Sequence, residues 1–485
     1  MNGQRLRSVV SAVATMVPRS GAAEDEDASE RLHPFFPAPA FGQALDPSIL
    51  LVLGERGTGK TELFQVLRHG GFAAVVSAAQ RSGAEPDTEA LTIGEDDWGR
   101  QAEVSQFFRV APPDARAAFW LGLLARRVNT LPVAVACPPP ASFAEVLGSR
   151  EVSVWASAAA RQLGALYAWL DDVEAALDAQ RRTLVICYDQ LDRTTLTYSE
   201  LFAPLRALLQ FWFEQRRRWR RLRPKLFLRP DLFDSETLAF PDGSKFFRAS
   251  YRELAWSKHD LYQMWVKRLV NMRGDGAVEP WLSATSPELG FFAASELGWM
   301  PYRATEPLLR PLVHSLAGRY MGANARKGES YNWIPNHVQD AHGRMAPRSF
   351  LALWQAAAER ALLRPFGDES PIRAEDLHHG LSVASSARIA ELSEDDPWMG
   401  GLSDSFDGVS VPAARAELEG LLRRTAWPTG DRPPPFDAVT DAPRLLDHLI
   451  RRGVVAERPD GRVSAPDLYL FGLGMKRKGG VRRAR

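Results

Sequence analysis

The sequence predicts an α/β fold: a three-layer domain on a parallel sheet, followed by a helical segment and a small α+β module. Three observations carry that expectation. Short, wholly apolar runs alternate with helical stretches through the first half of the chain. Apolar residues then recur at helical spacing over residues 256–363. Near the end an amphipathic helix leads into two β-prone runs joined by an Asp-Gly turn. Alternating strand and helix is the pattern of a layered α/β domain.

The elements follow in order. Ile49, Leu50, Leu51, Val52 and Leu53 form a continuous apolar run that ends in a Gly-rich turn, as expected of a strand buried on both faces. A helix should span residues 60–69, and residues 71–79 read as a second strand. Leu184 to Tyr188 is a third buried strand, preceded by a helical stretch over residues 152–179. Leu226, Phe227 and Leu228 mark a fourth, after a helix starting near Ser199. From Trp256 the spacing of Leu261, Met264, Trp265, Arg268 and Leu269 is helical, with breaks at 322–330 and 343–347. Residues 413–424 and 443–452 are amphipathic helices. The turn Arg458-Pro459-Asp460-Gly461 then joins two β-prone runs, a strong hairpin signal. A helix entering a hairpin at the end of a compact segment is the pattern of a winged helix.

At roughly 150 residues per domain, 485 residues allow about three domains. The expected divisions are a disordered Ser-, Ala- and acid-rich leader at 1–33, the α/β core at 34–255, a helical lid at 256–385, and a winged-helix-like domain with a basic tail at 386–485. Sixty Lys and Arg against 59 Asp and Glu leave a formal charge of +1, so any basic partner surface must be local. Two cysteines build no disulfide framework and point to a reducing, cytoplasmic compartment. No apolar run approaches the ~20 residues that span a bilayer, so no membrane partner is expected. Arg5, Arg7 and the stretch 9–17 faintly resemble a signal peptide. Ser and Thr interrupt that stretch and an acidic segment follows at 24–30, which favours a cytosolic leader.

Gly54, Glu55, Arg56, Gly57, Thr58, Gly59, Lys60 and Thr61 match G-x-x-x-x-G-K-[ST] without deviation. The glycines let the backbone curl so that successive N–H groups point into a cavity the size of a phosphate. The following helix adds its positive end, and Lys60 supplies a point charge for the β- and γ-phosphates. Thr61 offers a hydroxyl to Mg²⁺. Such a loop needs a carboxylate at the end of a neighbouring strand to hold Mg²⁺, and Asp189, closing the run Leu184 to Tyr188, supplies it. Gln190 stands next, where fast ATPases place a glutamate as general base. A glutamine orients water but cannot accept its proton at neutral pH. Either Asp192 serves as the base or turnover is slow.

Arg229 ends the fourth strand, in the crevice where α/β sheets bind ligands. It is either a γ-phosphate sensor or a salt-bridge partner of Asp231. Arg348, opening a helix at 349–360, either brings a second cation from the helical segment to the nucleotide or is structural.

Through these motifs, together with D-Q-L-D-R, F-L-R-P-D-L-F and A-P-R-S-F, most of residues 45–485 resembles the bacterial P-loop ATPases allied to the STAND and KAP types, within the AAA-like division. The resemblance implies a P-loop NTPase fold with an extra strand between the phosphate-loop strand and the Asp-bearing strand, a helical lid and often a winged helix. It implies Mg²⁺ duty for Thr61 and Asp189, γ-phosphate sensing for Arg229 and lid coupling for Arg348. It also implies a nucleotide-driven change to an oligomer-competent form, with roles in signalling or antiphage defence. Gln190 departs from the common D-D-x-D. No fused effector enzyme or repeat sensor is seen, so a partner would be a second copy or a separate effector protein.

The run Arg216, Arg217, Arg218, Arg220, Arg221, Arg223 and Lys225 admits three readings: nucleic-acid contact, a solvated helix terminus, or an arginine finger toward a neighbour. The tail carries Lys476, Arg477, Lys478, Arg482, Arg483 and Arg485, and winged helices often read DNA. His69, His378 and His379 lack metal spacing, and both cysteines are isolated and expected to be buried. The expected function is an ATP- and Mg²⁺-dependent switch. The alternative is an ATP-controlled DNA-binding regulator, and a metabolic kinase is disfavoured for want of an acceptor motif.

Overall fold

The computed structural model describes residues 3–16, 32–79, 87–233, 238–272, 276–294, 296–367, 369–427, 434 and 440–478. The chain divides into two compact units. Residues 37–55 and 59–254 form one, and residues 1–36, 56–58 and 255–485 form the other.

The first unit is built on five parallel strands, β1 (Leu51–Leu53), β2 (Thr88–Ile93), β3 (Thr183–Tyr188), β4 (Leu222–Leu228) and β5 (Tyr251–Glu253), in the order β2-β3-β4-β1-β5. β4 therefore stands between the strand entering the glycine-rich loop and the strand ending at Asp189. β1 and β3 are buried at every position, which is why they read as unbroken apolar runs. β5 is short, charged and exposed, features that blunt a sheet edge. Indole rings fill the core. Trp120, on the helix Arg116–Val128, stands edge-on to Tyr188 with ring centroids 5.9 Å apart. Tyr188 meets Trp212 of the helix Tyr198–Gln215 at 6.3 Å. Trp120 Nε1 donates to Pro204 O at 2.9 Å.

One expected element is corrected. Residues 71–79 do not form a strand: Phe72–Ala78 is a helix that buries Phe72 and Val75, three positions apart, so the apolar run serves one helical face. The second strand is Thr88–Ile93, whose outer half mixes Thr and Glu at half-buried positions while Leu91, Thr92 and Ile93 are buried.

The second unit is mainly helical, with Lys258–Asn271, Val278–Thr285, Glu306–Ala317, Ser330–His337, Pro347–Leu362 and Ala374–Asp395 as its principal helices. Ser257 and Asp260 form a reciprocal capping box at the start of the first. An antiparallel hairpin, β6 (Gly290–Ala294) with β7 (Gly298–Tyr302), interrupts the expected all-helical stretch. The leader also differs from the expectation of disorder. Gly3–Thr15 is a helix with Val9, Val10 and Val13 buried. Arg7 donates to Leu362 O at 2.7 Å and Arg364 O at 3.0 Å, satisfying carbonyls at the end of Pro347–Leu362. The acidic segment 24–30 lies outside the described residues.

The C-terminal segment has winged-helix order. Helix Gly400–Phe406, strand Ala413–Ala414, helices Arg415–Arg424 and Ala442–Arg451, and strands Ala456–Glu457 and Arg462–Ser464 follow one another. The last strand lies between the other two, antiparallel to both. Gly461 turns the wing at φ +75°, a conformation that favours glycine. Leu418, Leu422, Leu445, Leu446, Leu449 and Val463 share one core with Ile389 and Leu392. Those last two belong to Ala374–Asp395, a single helix that runs through the division expected at 385/386. Among the described residues, no helix is long and apolar enough to cross a membrane.

Trp120→Ala should cost about 3–5 kcal/mol, the range for truncating a large core aromatic, read as a fall in urea midpoint at unchanged slope. A loss below about 1 kcal/mol would remove the indole cluster from its role as core of the sheet unit.

Candidate nucleotide-phosphate site

Residues 54–61 connect β1 to the helix Lys60–Arg68. That helix buries Leu63, Phe64, Val66 and Leu67 and keeps Glu62 in its first turn, where an acid complements the positive helix end. Gly57 and Gly59 adopt φ +78° and +96°. A Cβ at Gly57 would stand 3.0 Å from Arg348 Cβ, and one at Gly59 would stand 3.0 Å from the Phe41 ring, so both positions require glycine for conformation and space. Lys60 Nζ donates to Gly54 O and, at 3.2 Å, to Glu55 O. Burial pushes its ammonium below the ordinary lysine value, against the pull of Asp189 and Glu55.

β3 delivers Asp189, which is 3% exposed. Burial pushes its carboxyl above the ordinary value, while a hydrogen bond with Thr61 and the charge of Lys60 oppose the shift. Its Oδ2 is buried without a hydrogen-bond partner among the described atoms. A buried carboxylate oxygen without a partner beside a threonine hydroxyl is a donor set that fits a hard cation, so Thr61 and Asp189 could hold Mg²⁺. Gln190 adopts φ +59°, turning the chain into Leu191–Arg193. Its Oε1 accepts from Glu95 N at 3.2 Å, which engages the side-chain oxygen at the end of β2. Asp192 lies within electrostatic reach of both Lys60 and Asp189.

Arg229 is 5% exposed and forms a bidentate pair with Asp231, Nε to Oδ1 at 2.9 Å and Nη2 to Oδ2 at 2.5 Å. The salt-bridge alternative is thus realised, although its charge still bears on Lys60.

The apex of the loop, residues 56–58, belongs with the helical unit, and each of its carbonyls accepts a hydrogen bond there. Arg388 Nη1 donates to Arg56 O at 3.1 Å, Arg348 N to Gly57 O at 3.4 Å, and Trp256 Nε1 to Thr58 O at 2.9 Å. In a trans peptide the C=O and the following N–H point in opposite directions. Holding these three carbonyls therefore turns the N–H groups of Gly57, Thr58 and Gly59 to the other side of the backbone. The Arg348 guanidinium, more than half exposed, pairs with Glu391 Oε1 at 3.0 Å, and Arg56 pairs with Glu394. Sequence reasoning missed Arg388 and used Trp256 only as a boundary. The one signal for Arg388 was an arginine set between Ala384, Ile389 and Leu392 on an otherwise apolar helical face.

Part of the basic run is neutralised locally. Arg218 pairs with Asp171, Nε to Oδ1 at 2.7 Å, and Arg221 Nε with Asp178 Oδ1 at 2.8 Å. Glu174 accepts from the N–H groups of Arg221 at 2.7 Å and Leu222 at 2.9 Å. Arg216 lies 3.5 Å over the Phe213 ring. Lys225 is fully buried, its ammonium pushed down to about 7 by burial. It donates to Asp46 O and Ile49 O, fixing the approach to β1. In the tail Arg477 pairs with Asp467 at 2.7 Å, while Arg482, Arg483 and Arg485 lie outside the described residues. Cys187 is buried but Cys137 only half so.

No protein-family model matches the chain, and no curated protein matches it significantly in sequence. Among solved structures it is similar to the Aeropyrum pernix ORC2 protein in its ADPNP–ADP complexes, at 14% identity with 88% of this chain and 86% of that one covered and a TM-score of 0.37. It is also similar to Aeropyrum pernix ORC1 in complex with DNA (14%, 95% and 95%, 0.34) and to Cdc6p from Pyrobaculum aerophilum (10%, 96% and 96%, 0.30). Likeness at this level carries no argument about function, which rests on the residues above.

Because the Asp189 carboxyl is held above its ordinary 3.8, the folded state binds that proton more tightly than the unfolded chain. The resulting stabilisation is present below 3.8 and is lost as pH rises through the folded value. At neutral pH the group is therefore a net cost to stability. Without divalent cation, Asp189→Asn should melt at or above the wild-type temperature at pH 7. A fall of more than about 3 °C, roughly 1 kcal/mol at this size, would contradict the sign of that shift.

Proposed function

We propose that the chain is an ATP-binding and slowly hydrolysing switch whose nucleotide state sets the posture of its helical and winged segments and its assembly with a second copy or a separate effector protein. The observation that carries this reading is the loop apex, whose carbonyls are held by donors from residues 256, 348 and 388. A ligand gripped at the apex would thereby bear on residues 256, 348 and 388.

The loop amides and the N-terminus of Lys60–Arg68 would cradle the phosphates, with Lys60 leaving its contacts with Gly54 O and Glu55 O for the β- and γ-phosphates. Thr61 and Asp189 would hold Mg²⁺, which when bound neutralises charge on the phosphates. Arg348 would leave Glu391 for the γ-phosphate. Its exposed side chain and the nearness of its backbone to Gly57 support that step. Arg229, anchored by Asp231, would supply fixed positive potential rather than move as a finger. Asp192 is favoured over Gln190 as the group that activates water, because the Gln190 oxygen is engaged by Glu95 N. Without a glutamate directly after Asp189, slow turnover is the expectation. A role in signalling or antiphage defence would fit such a switch.

A second reading has one observation in its favour, the winged-helix order of residues 400–464. An ATP-controlled DNA-binding regulator would retain DNA with a steep loss on raising salt, and retention insensitive to salt would remove that reading.

Lys60→Ala should weaken MgATP binding at least ~100-fold by calorimetry, the loss of a buried charge-assisted contact. Unchanged affinity would sink the proposed site. Asp189→Asn should keep nucleotide within about tenfold and lose Mg²⁺-dependent turnover. Wild-type turnover would take Asp189 out of its role.

A further inference from the structure

Arg388 is a buried cation with no part in the sequence-derived site. It is 6% exposed on the helix Ala374–Asp395, and its partners include three groups that bear on the loop and the C-terminal module. Its Nη1 donates to Arg56 O at 3.1 Å and to Glu391 Oε2 at 3.4 Å, and its Nε donates to Tyr469 OH at 3.4 Å. Glu391 is shared, since its other oxygen accepts from Arg348 Nη1 at 3.0 Å. Tyr469, 1% exposed, lies on the turn Asp467–Leu470 that follows the wing. That turn is held tightly against the same helix. Gly472 N donates to Ser385 Oγ at 2.8 Å, and a Cβ at Gly472 would fall 2.6 Å from Ser385 O.

One guanidinium therefore touches the phosphate loop, the carboxylate that holds Arg348 and the C-terminal module. A planar guanidinium presents donors in fixed directions, so it cannot turn to follow one partner without loosening its hold on the others. When Arg348 leaves Glu391, that carboxylate keeps Arg388 as a cationic partner and draws on it more strongly. The pull bears on both Arg56 O and Tyr469 OH.

Resting on the ATP reading above, we infer that Arg388 is a positioning residue for the phosphate loop and the relay from it to the winged segment. It holds the Arg56–Gly57 peptide with the Gly57 N–H toward phosphate. Through Tyr469 it makes the packing of residues 467–477 depend on whether a nucleoside triphosphate is bound.

Three variants of the full chain test this, with calorimetry of MgATP and hydrogen exchange of amides 467–477 with and without MgATP. In the wild type, MgATP should change exchange in that segment; no change overturns the relay. Arg388→Met should weaken MgATP binding about tenfold, the loss of a hydrogen bond to a charged donor, and wild-type affinity overturns the positioning role. Arg388→Lys retains one cation but cannot serve Arg56 O and Tyr469 OH together. Affinity should fall no more than about threefold while the nucleotide-dependent exchange change disappears. Tyr469→Phe removes only a hydroxyl and should keep wild-type affinity while losing that change. A full wild-type exchange response in both the lysine and phenylalanine variants overturns the relay. These two variants carry the test if the methionine variant does not fold. Should the wild type fail to bind MgATP, the ATP reading itself falls. Should the wild type bind, Lys60→Ala bind at least ~100-fold more weakly, and Arg388→Met bind as wild type, only the present inference falls.

Discussion

A planar trans peptide has one consequence on which the rest of this molecule depends: fixing its carbonyl fixes the next amide. At residues 56–58 three consecutive carbonyls are fixed, by Arg388, by the Arg348 backbone and by the Trp256 indole. A glycine-rich loop left to itself loses more conformational freedom on ordering than any other kind of segment. Three external donors settle that cost during folding, so the amides would not need to be gathered again for an anion to bind. Pre-organisation of this kind strengthens binding by reducing what must be ordered at the moment of contact. It also joins the loop to helices far along the chain, because the donors lie at 256, 348 and 388.

The interior charges follow the same logic of positions fixed in advance. Lys60 and Asp189 are each buried enough for desolvation to lead their shifts, in opposite directions from their ordinary values. Each partly offsets the other. A pair in that state is strained toward neutrality and is relieved by further charge of the right sign, an anion near Lys60 and a cation near Asp189. The buried Asp189 Oδ2 is the atom through which relief at the carboxylate would come. Elsewhere the arginines are matched: Arg229 to Asp231, Arg218 to Asp171, Arg221 to Asp178. The pairs of Arg218 and Arg221 neutralise part of the basic run at 216–225.

Much of the fold was legible because its causes are local. β1 and β3 are buried on both faces and therefore unbroken in apolar character. The turn after β1 is legible because Gly57 and Gly59 adopt positive φ, which favours glycine, and the wing because Asp460 and Gly461 suit a tight turn. What escaped has tertiary causes. Thr88–Ile93 becomes a strand through pairing with Thr183–Tyr188 along its full length, while its own polar half resembles a loop. Phe72–Ala78 carries two valines that favour a strand, yet one buried face makes it a helix. The leader helix is held by Arg7 on carbonyls some 355 residues away, and no local window contains that. Arg388 is the same case at the site: an arginine's value there depends on Arg56 O and Tyr469 OH, neither near it in sequence.

The winged segment shows how pairing and function trade against each other. Arg415 is shared among Glu419, Asp447 and Glu457, Arg462 pairs with Asp460, Arg444 with Asp441, and Arg477 with Asp467. Pairs at or near the surface contribute little to stability, so a polyanion could displace the acids at small cost. Displacement still gives a weaker salt response than unpaired cations, since each acid remains near the phosphate its partner would neutralise. Toward the helix Ala374–Asp395, by contrast, the segment presents buried apolar side chains, with Ile389, Leu392 and Leu473 in one core. Its polar ties to that helix among the described residues include the Tyr469 hydroxyl to Arg388, which is buried, and the Gly472 amide to Ser385, which is partly so. Burial makes those ties costly to break and directional. The stronger physical connection of the winged segment is therefore inward, to the helix that also reaches the phosphate loop.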